Sequence, residues 1–572
     1  MKKTLLLSLI LFYLSHGLSK AQQKASIVYR FANRPDSTEL LVQKNFPGFK
    51  KEVGKKILAL HRAGFVSSVA DTIYEQKDST YYAEVFVSDA FRRVKIKSLV
   101  QSKEIPVPSF YPSFSKSLSP ESFFKLENEI LRYWENNAYP FCSISLRDIQ
   151  TNGSEITGNL IIEHNRRICI DSIVIQGKAK IHPTFVYKFI GIKPGSIYNE
   201  RKVKQLPGRL SGLPFLLQAA PPQVFFTPKY TRLKLFLEPK KANQFDGILG
   251  FLPDNRTGKV LFTGQVHIKL QNALGRGEGM ELEWRKLQAL TQDLKFNGQY
   301  PYILGTPFGA DYSFSLFKRD TAFLEVKNNL GLQYLFSGGN SVKFFYHVKS
   351  VRMLSVAAAA NLLTLPENAD VNVISYGAGW NIDHTDYRFN PRKGFRSQGM
   401  ISIGFRELRK NTAVPEILYE NIRLKNIQNN ISFSTEWYVP IQKRFTFLFS
   451  MRGAYMTQEN LFFNELFRLG GFQSFRGFDD ESIFASTYGY ANNELRYLSG
   501  KNSNLFVFYT HGYLQNLSRN VRLFDRPYSF GAGINFETKA GVFNLTYAVG
   551  RQLNNPLLLR AAKIHFGIIS VF

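Results

Sequence analysis

The run Phe543-Asn544-Leu545-Thr546-Tyr547-Ala548-Val549-Gly550 decides the fold. Phe543, Leu545, Tyr547 and Val549 alternate with Asn544, Thr546, Ala548 and Gly550, which is the two-residue period of a strand with one apolar and one polar face. The run before it sets Phe530, Ala532, Ile534 and Phe536 against Ser529, Gly531, Gly533, Asn535 and Glu537. Much earlier, Phe262, Val266, Ile268 and Leu270 alternate with Thr263, Gln265, His267 and Lys269. From Phe245 onward helical periodicity is absent, and such runs recur about every 20 residues, separated by turn residues. About sixteen fit before Phe572, each with the roughly 10 residues a tilted strand needs to cross a bilayer. Lipid outside and water inside call for this two-faced pattern, and residues 243–572 are therefore predicted to form an all-β transmembrane barrel of about 16 antiparallel strands. A soluble β-sandwich is the competing reading.

The amino terminus agrees with export. Lys2 and Lys3 precede an apolar run from Leu5 to Leu14, and Ser19 and Ala21 stand in a −3/−1 arrangement before Gln22. Residues 1–21 are read as a signal peptide cleaved after Ala21, with an apolar run too short to span a bilayer. Past Ala21 no stretch approaches the roughly 18 consecutive apolar residues of a transmembrane helix. Hydrophobic residues are nevertheless 44% of the chain and aromatics 15%, with 51 Phe and 28 Tyr, a composition that fits alternating strands. The last run, Ile564, Phe566, Ile568, Ser570 and Phe572, ends on an aromatic and resembles the carboxy-terminal signature of outer-membrane proteins.

Net charge is +29. With an export signal a nucleic-acid partner is a poor reading, and basic residues facing anionic headgroups or lining a lumen explain the charge better. Cys142 and Cys169 could pair in an oxidising compartment or remain two free thiols. No Gly-x-Ser-x-Gly elbow, metal-ligand cluster or phosphate loop is present, so neither a catalytic residue nor a metal or cofactor is assigned and the chain is read as a non-enzyme.

Residues 22–242 have a different texture, in which helical patterns alternate with pairs of strands. The second unit, 91–165, is the clearest: a strand from Arg92 to Leu99, a helix capped by Ser119 with Pro120 at its first position, Phe123, Leu126, Ile130 and Trp134 at helical spacing, then strands turning at Asn152-Gly153. The first unit, 22–90, closes its helix at Ala63-Gly64-Phe65 before strands ending at Glu75 and Val87. The third, 166–242, carries helices at Phe185 to Ile190 and Glu200 to Leu213, with Pro207 read as a kink, and ends in Val224 to Thr227 and Arg232 to Glu238. Three exported units of about 75 residues ahead of a barrel resemble POTRA (polypeptide-transport-associated) domains of βααββ order. Their strand pairs ending at Val87, Glu163 and Glu238 are expected to offer accessible edges for an extended client or a partner subunit.

Between the eleventh and twelfth predicted strands lies a long connection, 458–487, containing Leu469-Gly470-Gly471-Phe472-Gln473-Ser474-Phe475-Arg476-Gly477-Phe478. A connection this long in a compact domain is usually functional. The glycine pair permits a tight path. An Arg among aromatics suits a loop tucked into the lumen, where a guanidinium can meet an inward carboxylate in bidentate geometry. The segment resembles the (V/L/F)RG(F/Y) motif of the BamA/TamA-like outer-membrane assembly and translocation superfamily, and the layout with three repeats is closest to TamA.

The resemblance covers essentially the whole mature chain. It implies a loop folded into the lumen, with Gly470, Gly471, Phe475, Arg476, Gly477 and Phe478 as its motif. The family usually adds Phe-x-Asp on the thirteenth strand; Phe508-Tyr509-Thr510 here has no acid. Glu494, sharing an inward face with Asn492 and Arg496, is the candidate partner of Arg476, unless it pairs with Arg496 instead. The resemblance further implies a protein that inserts β-barrel proteins into, or moves polypeptides across, the outer membrane. Its repeats would lie in the periplasm and receive unfolded outer-membrane or secreted clients, with periplasmic or lipoprotein subunits as possible partners. The barrel seam, between a first strand weakened by Gly247 and Gly250 and a last strand carrying Phe566 and Phe572, would open sideways. A two-partner-secretion-type transporter and a passive channel are the alternatives.

Overall fold

In the computed structural model the described residues are 23–569, without 32–34, 44, 76–79, 102–107, 109–116, 254–259, 287–290, 355–362, 388–389, 458, 473, 480, 520, 539–540 and 554. The segment read as a signal peptide and Phe572 lie outside them. The chain divides into two compact units, one essentially 1–169 and the other 170–572 apart from a short excursion at 197–201.

The first unit contains two α/β modules. In the first module, helix α1 (Phe46–Arg62) begins at Asn45, whose side chain accepts the Gly48 N–H. It buries Phe49 and Val53 against Ile27, Ala83 and Val85 of a four-stranded sheet. Where the βααββ order expects a first helix, Ser37–Gln43 is an edge strand antiparallel to Gln23–Phe31. The reason is local: Thr38, Leu41 and Val42 favour a strand, and the segment is too short for a helix to repay its nucleation.

Helix α2 (Pro120–Asn136) of the second module starts at the expected Ser119 cap with Pro120 at its first position. It packs Ile130 and Trp134 on Ile96, Leu160 and Ile162. The two modules are joined by a hydrogen bond from the Phe91 N–H to the Gly64 carbonyl, 2.9 Å, and by His61 stacked on Phe124. Cys142 and Cys169 are both free thiols, and burial pushes the Cys142 thiol up to about 11, which keeps it unreactive near neutral pH.

The strand pairs offer edges as expected, through one member of each: Val69–Glu75, Ser143–Asn152 and Leu216–Phe226 stand at the edges of their sheets. The strands that end at Val87, Glu163 and Pro239 are interior in their sheets, with a neighbour on each side. Ser37–Gln43 is the other edge of the first sheet. A parallel pairing with the module's opening strand draws each closing strand inward.

In the second unit, the third module has helices α3 (Pro183–Ile190) and α4 (Glu200–Ser211), the latter holding Pro207 within it. Its strand Leu216–Phe226 is longer than expected, because Pro221 and Pro222 sit in an edge strand with register shifts on either side of Ala220, where missing N–H groups are tolerated. The barrel is one antiparallel sheet of 17 strands. It makes sixteen crossings, because Leu523–Asp525 and Tyr528–Thr538 are two parts of the fourteenth, broken at Pro527. Leu545 and Tyr547 point outward, half exposed, while Asn544 and Thr546 are buried on the inner face, as their alternation demands.

The inner face carries basic residues in networks: Lys327 and Lys349 meet Glu325, and Arg285 and Lys295 meet Asp293. The first crossing, Gln244–Pro253, sets Gly247 opposite Val266 and Gly250 opposite Thr263. Phe566, on the last crossing Lys563–Ile569, is exposed. Among the described residues no ladder joins these two strands.

Three successive turns at one mouth of the barrel, the near mouth, hold helix α3. The His182 N–H donates to the Gly275 carbonyl at 2.7 Å, Phe185 meets Tyr302 edge-on, and the Gly338 N–H donates to the Phe189 carbonyl at 2.8 Å. Gly277 is left-handed, φ +78, and a Cβ there would run into the Phe185 ring. Gly277→Ala is therefore expected to lift α3 from the near mouth, raising protease cleavage around 180–195 while the barrel itself still resists heating in detergent. Unchanged proteolysis would show that the turn yields instead.

Candidate functional site: the inward loop

The eleventh crossing, Phe445–Thr457, and the twelfth, Thr487–Leu498, are joined by a loop that folds back into the lumen. Its two limbs pair as a short hairpin, Phe467–Leu469 with Ile483–Ala485, which satisfies backbone groups that would otherwise be buried alone. Gly470 and Gly471 then turn the chain with φ +115 and +85. The Gly470 N–H donates to Ser474 Oγ at 2.9 Å, and the Gly471 N–H donates to the Phe478 carbonyl at 3.1 Å. A side chain at Gly470 would collide with the Asp479 carbonyl, so this turn needs glycine.

The tip is packed, not solvated. Phe475 is fully buried and meets Phe478 and Tyr490 edge-on, each at 5.2 Å between ring centres. Leu469, Ile483 and Leu514 complete this cluster. Gly477, φ +91, lies directly against the backbone of Val549 and Gly550 on the fifteenth crossing. Its N–H donates to His565 Nε2 on the sixteenth crossing at 3.2 Å, and Lys563 reaches Asp479 at 2.7 Å.

Arg476 Nη2 donates to Asn492 Oδ1 at 2.9 Å and to Glu494 Oε2 at 3.0 Å. The arrangement differs from the bidentate fork expected from sequence: one nitrogen serves two acceptors, and the guanidinium lies 3.8 Å over the Phe508 ring. Both proposed pairings of Glu494 occur together, because Arg496 Nε holds its other oxygen at 2.6 Å. Thr510 donates to Asn492 Oδ1 at 2.9 Å and thereby orients the amide that Arg476 uses.

Two further contributors went unassigned from sequence. Arg468, on the hairpin, lies over Phe317 and Phe323 on the opposite wall and pairs with Glu481. Glu465, at the loop's root, is buried against Arg406 of the ninth crossing, Gly394–Arg409. The only sequence signal for either was a charge placed among aromatics, as in Phe462-Phe463-Asn464-Glu465-Leu466-Phe467. Among the described residues no group of three or more His, Cys, Asp or Glu could hold a metal ion, and no helix is long and apolar enough to cross a membrane.

A sixteen-crossing antiparallel barrel with α/β repeats ahead of it in the chain and an Arg-Gly-Phe loop folded into its lumen defines a transmembrane β-barrel protein. Residues 272–569, more than half of the chain, match the Omp85 superfamily domain, and the chain belongs to the Omp85 superfamily. Among solved structures, CdiB from Escherichia coli is similar at 15% identity and a TM-score of 0.51, over 91% of this chain and 98% of that one. BamA from Haemophilus ducreyi lacking POTRA domains 1-3 matches at 14% identity and a TM-score of 0.39, over 83% of this chain and 98% of the other. No curated protein sequence matches the chain.

Proposed function

We propose that this protein receives unfolded polypeptides on periplasmic POTRA-like repeats and inserts them into, or passes them across, the outer membrane at the barrel seam. The observation that carries the reading is the inward loop, tied through Arg476 to the twelfth crossing and through Lys563 and His565 to the sixteenth. A loop with these ties occupies the lumen and touches the seam strand. The mechanism is one of binding and displacement and needs no nucleophile, cofactor or metal. Domain boundaries at 22–90, 91–165, 166–242 and 243–572 belong to the same reading, as does the role of Gly470, Gly471, Phe475, Arg476, Gly477, Phe478 and Glu494 as a lumenal latch. The same reading puts the seam at Gly247, Gly250 and Phe566, with Phe572 outside the described residues, and takes the two glycines as a point of weak pairing.

Strand addition at an open sheet edge supplies affinity through main-chain hydrogen bonds. Leu40 on Ser37–Gln43 and Ile149 on Ser143–Asn152 stand exposed on such edges, and both are apolar. A photocrosslinker at Leu40 or Ile149 is expected to capture an unfolded outer-membrane or secreted polypeptide in growing cells. Capture confined to lumenal positions such as Asn492 would support a simple channel. Cataloguing which surface proteins disappear on depletion then separates insertion from secretion.

A further inference from the structure

The barrel buries a second ion pair, far from the Arg476 latch. Arg406 and Glu465 are 1% and 4% exposed. Here the geometry is a true fork: Nε donates to Oε1 at 2.7 Å and Nη2 to Oε2 at 2.8 Å. Glu465 Oε2 also accepts the Phe462 N–H at 3.0 Å, which fixes the carboxylate to the loop's own root.

On one side, with Arg406 over the Phe462 ring, the pair adjoins an apolar cluster whose members come from separate parts of the far mouth, the end of the barrel opposite helix α3. Val371, Val373 and Leu408 belong to the eighth and ninth crossings, Val414 and Tyr419 to the connection after the ninth, and Phe462 to the inward loop. Backbone bonds tie the same root to its neighbours. The Phe463 N–H donates to the Glu367 carbonyl at 2.9 Å, and the Arg519 N–H donates to the Leu461 carbonyl at 2.8 Å. Connections after the seventh, ninth, eleventh and thirteenth crossings thus converge on one point.

A buried ion pair is a weak way to add stability, because desolvation cancels most of the attraction, and apolar residues of the same volume do as well. It differs from apolar packing in the cost of pulling it apart. Two charges separated while still buried lack both partner and water, so partial opening is disfavoured and the equilibrium becomes all-or-none. We infer that Arg406 and Glu465 are the lock of the far mouth: paired, they hold the loop's root and the cap of connections closed, and release of the root opens the exit. The tip has its own ties at Asn492, Glu494 and Lys563, so root and tip are separately releasable.

Closure can be measured on the full chain in planar lipid bilayers, in potassium chloride and without any client, so the result does not depend on the assembly role. Arg406→Met and Glu465→Gln are each expected to raise the open fraction by about tenfold or more, because each strands one buried charge. Arg406→Met with Glu465→Met is expected to return conductance to that of the unaltered protein, since no charge is left unpaired. Single variants that conduct like the unaltered protein would overturn the lock. So would a double variant as leaky as the singles, which would indicate damage to cap packing alone.

If a single variant fails to insert, Arg406→Lys serves in its place. A cysteine replacing the buried Val414 should then react faster with a membrane-impermeant maleimide on intact cells than the same cysteine beside Arg406, and equal rates would overturn the inference.

Discussion

Glu494→Gln is expected to destabilise the barrel more than Arg476→Ala, and both are expected to release the inward loop while the protein still reaches the membrane. The asymmetry follows from the geometry. Glu494 neutralises two guanidinium groups, Arg476 at 3.0 Å and Arg496 at 2.6 Å. Removing Arg476 leaves the carboxylate still paired with Arg496, whereas removing the carboxylate charge strands both cations on the inner wall. Truncating one side of a fully buried pair costs roughly 3–5 kcal/mol, and the Arg476 side chain keeps some solvent, so about 2 kcal/mol is expected for Arg476→Ala and more for Glu494→Gln. The two changes together should be much less than additive. Arg476→Lys should restore only part, because one ammonium can serve Asn492 and Glu494 as Nη2 does but lacks the planar face that stacks on Phe508. The temperature at which the folded band is lost on a gel reads all four variants; additive losses would remove Glu494 from the role.

The second large effect is expected at Gly477. Its φ of +91 is a left-handed conformation, and a Cβ would sit 2.9 Å from the Gly550 nitrogen and 3.0 Å from the Val549 carbonyl carbon. Neither neighbour is a flexible side chain, so the loop tip has to leave the wall. Gly477→Ala therefore combines backbone strain of about 1–3 kcal/mol with the loss of the His565 and Lys563 contacts beside it. Gly550→Ala meets the same contact from the other side, where the Gly477 carbonyl and the Phe478 ring already lie 2.7 Å from the added carbon. Either change should make the loop cleavable by protease added from outside, and combining them should add little. A loop equally protected in Gly477→Ala would mean that the fifteenth crossing gives way instead.

Much of the barrel was legible because a two-faced strand declares itself. Leu545 and Tyr547 face out and Asn544 and Thr546 face in, and no tertiary information was needed to place them. The helix capped at Ser119 was equally local. Strand order in the repeats was not, since nothing in the residues ending at Val87 or Glu163 marks a strand as interior; that depends on a parallel partner some fifty or more positions away. The inward loop was half legible. The glycine pair and the Arg among aromatics drew attention to 470–478, and the inward face of Asn492 and Glu494 was readable from alternation.

Two features of the site could not be read. The stacking on Phe508 requires knowing how the thirteenth crossing lies beside the twelfth. The fork expected at Arg476 is found at Arg406, whose partner is 59 residues further along the chain, and a lone Arg on a strand carries no sign of what will bury it.

The docking of helix α3 on three turns has a mechanical consequence. Those turns connect the second crossing to the third, the fourth to the fifth and the sixth to the seventh. The loop tip grips the other side of the wall, at the twelfth, fifteenth and sixteenth crossings. The wall therefore has two handles, and they share no strand. A pull on the third module travels into the first half of the barrel, and a pull on the loop tip travels into the second. Strands eight to eleven lie between the two handles, and the loop's root is held on the ninth strand by the Arg406–Glu465 pair.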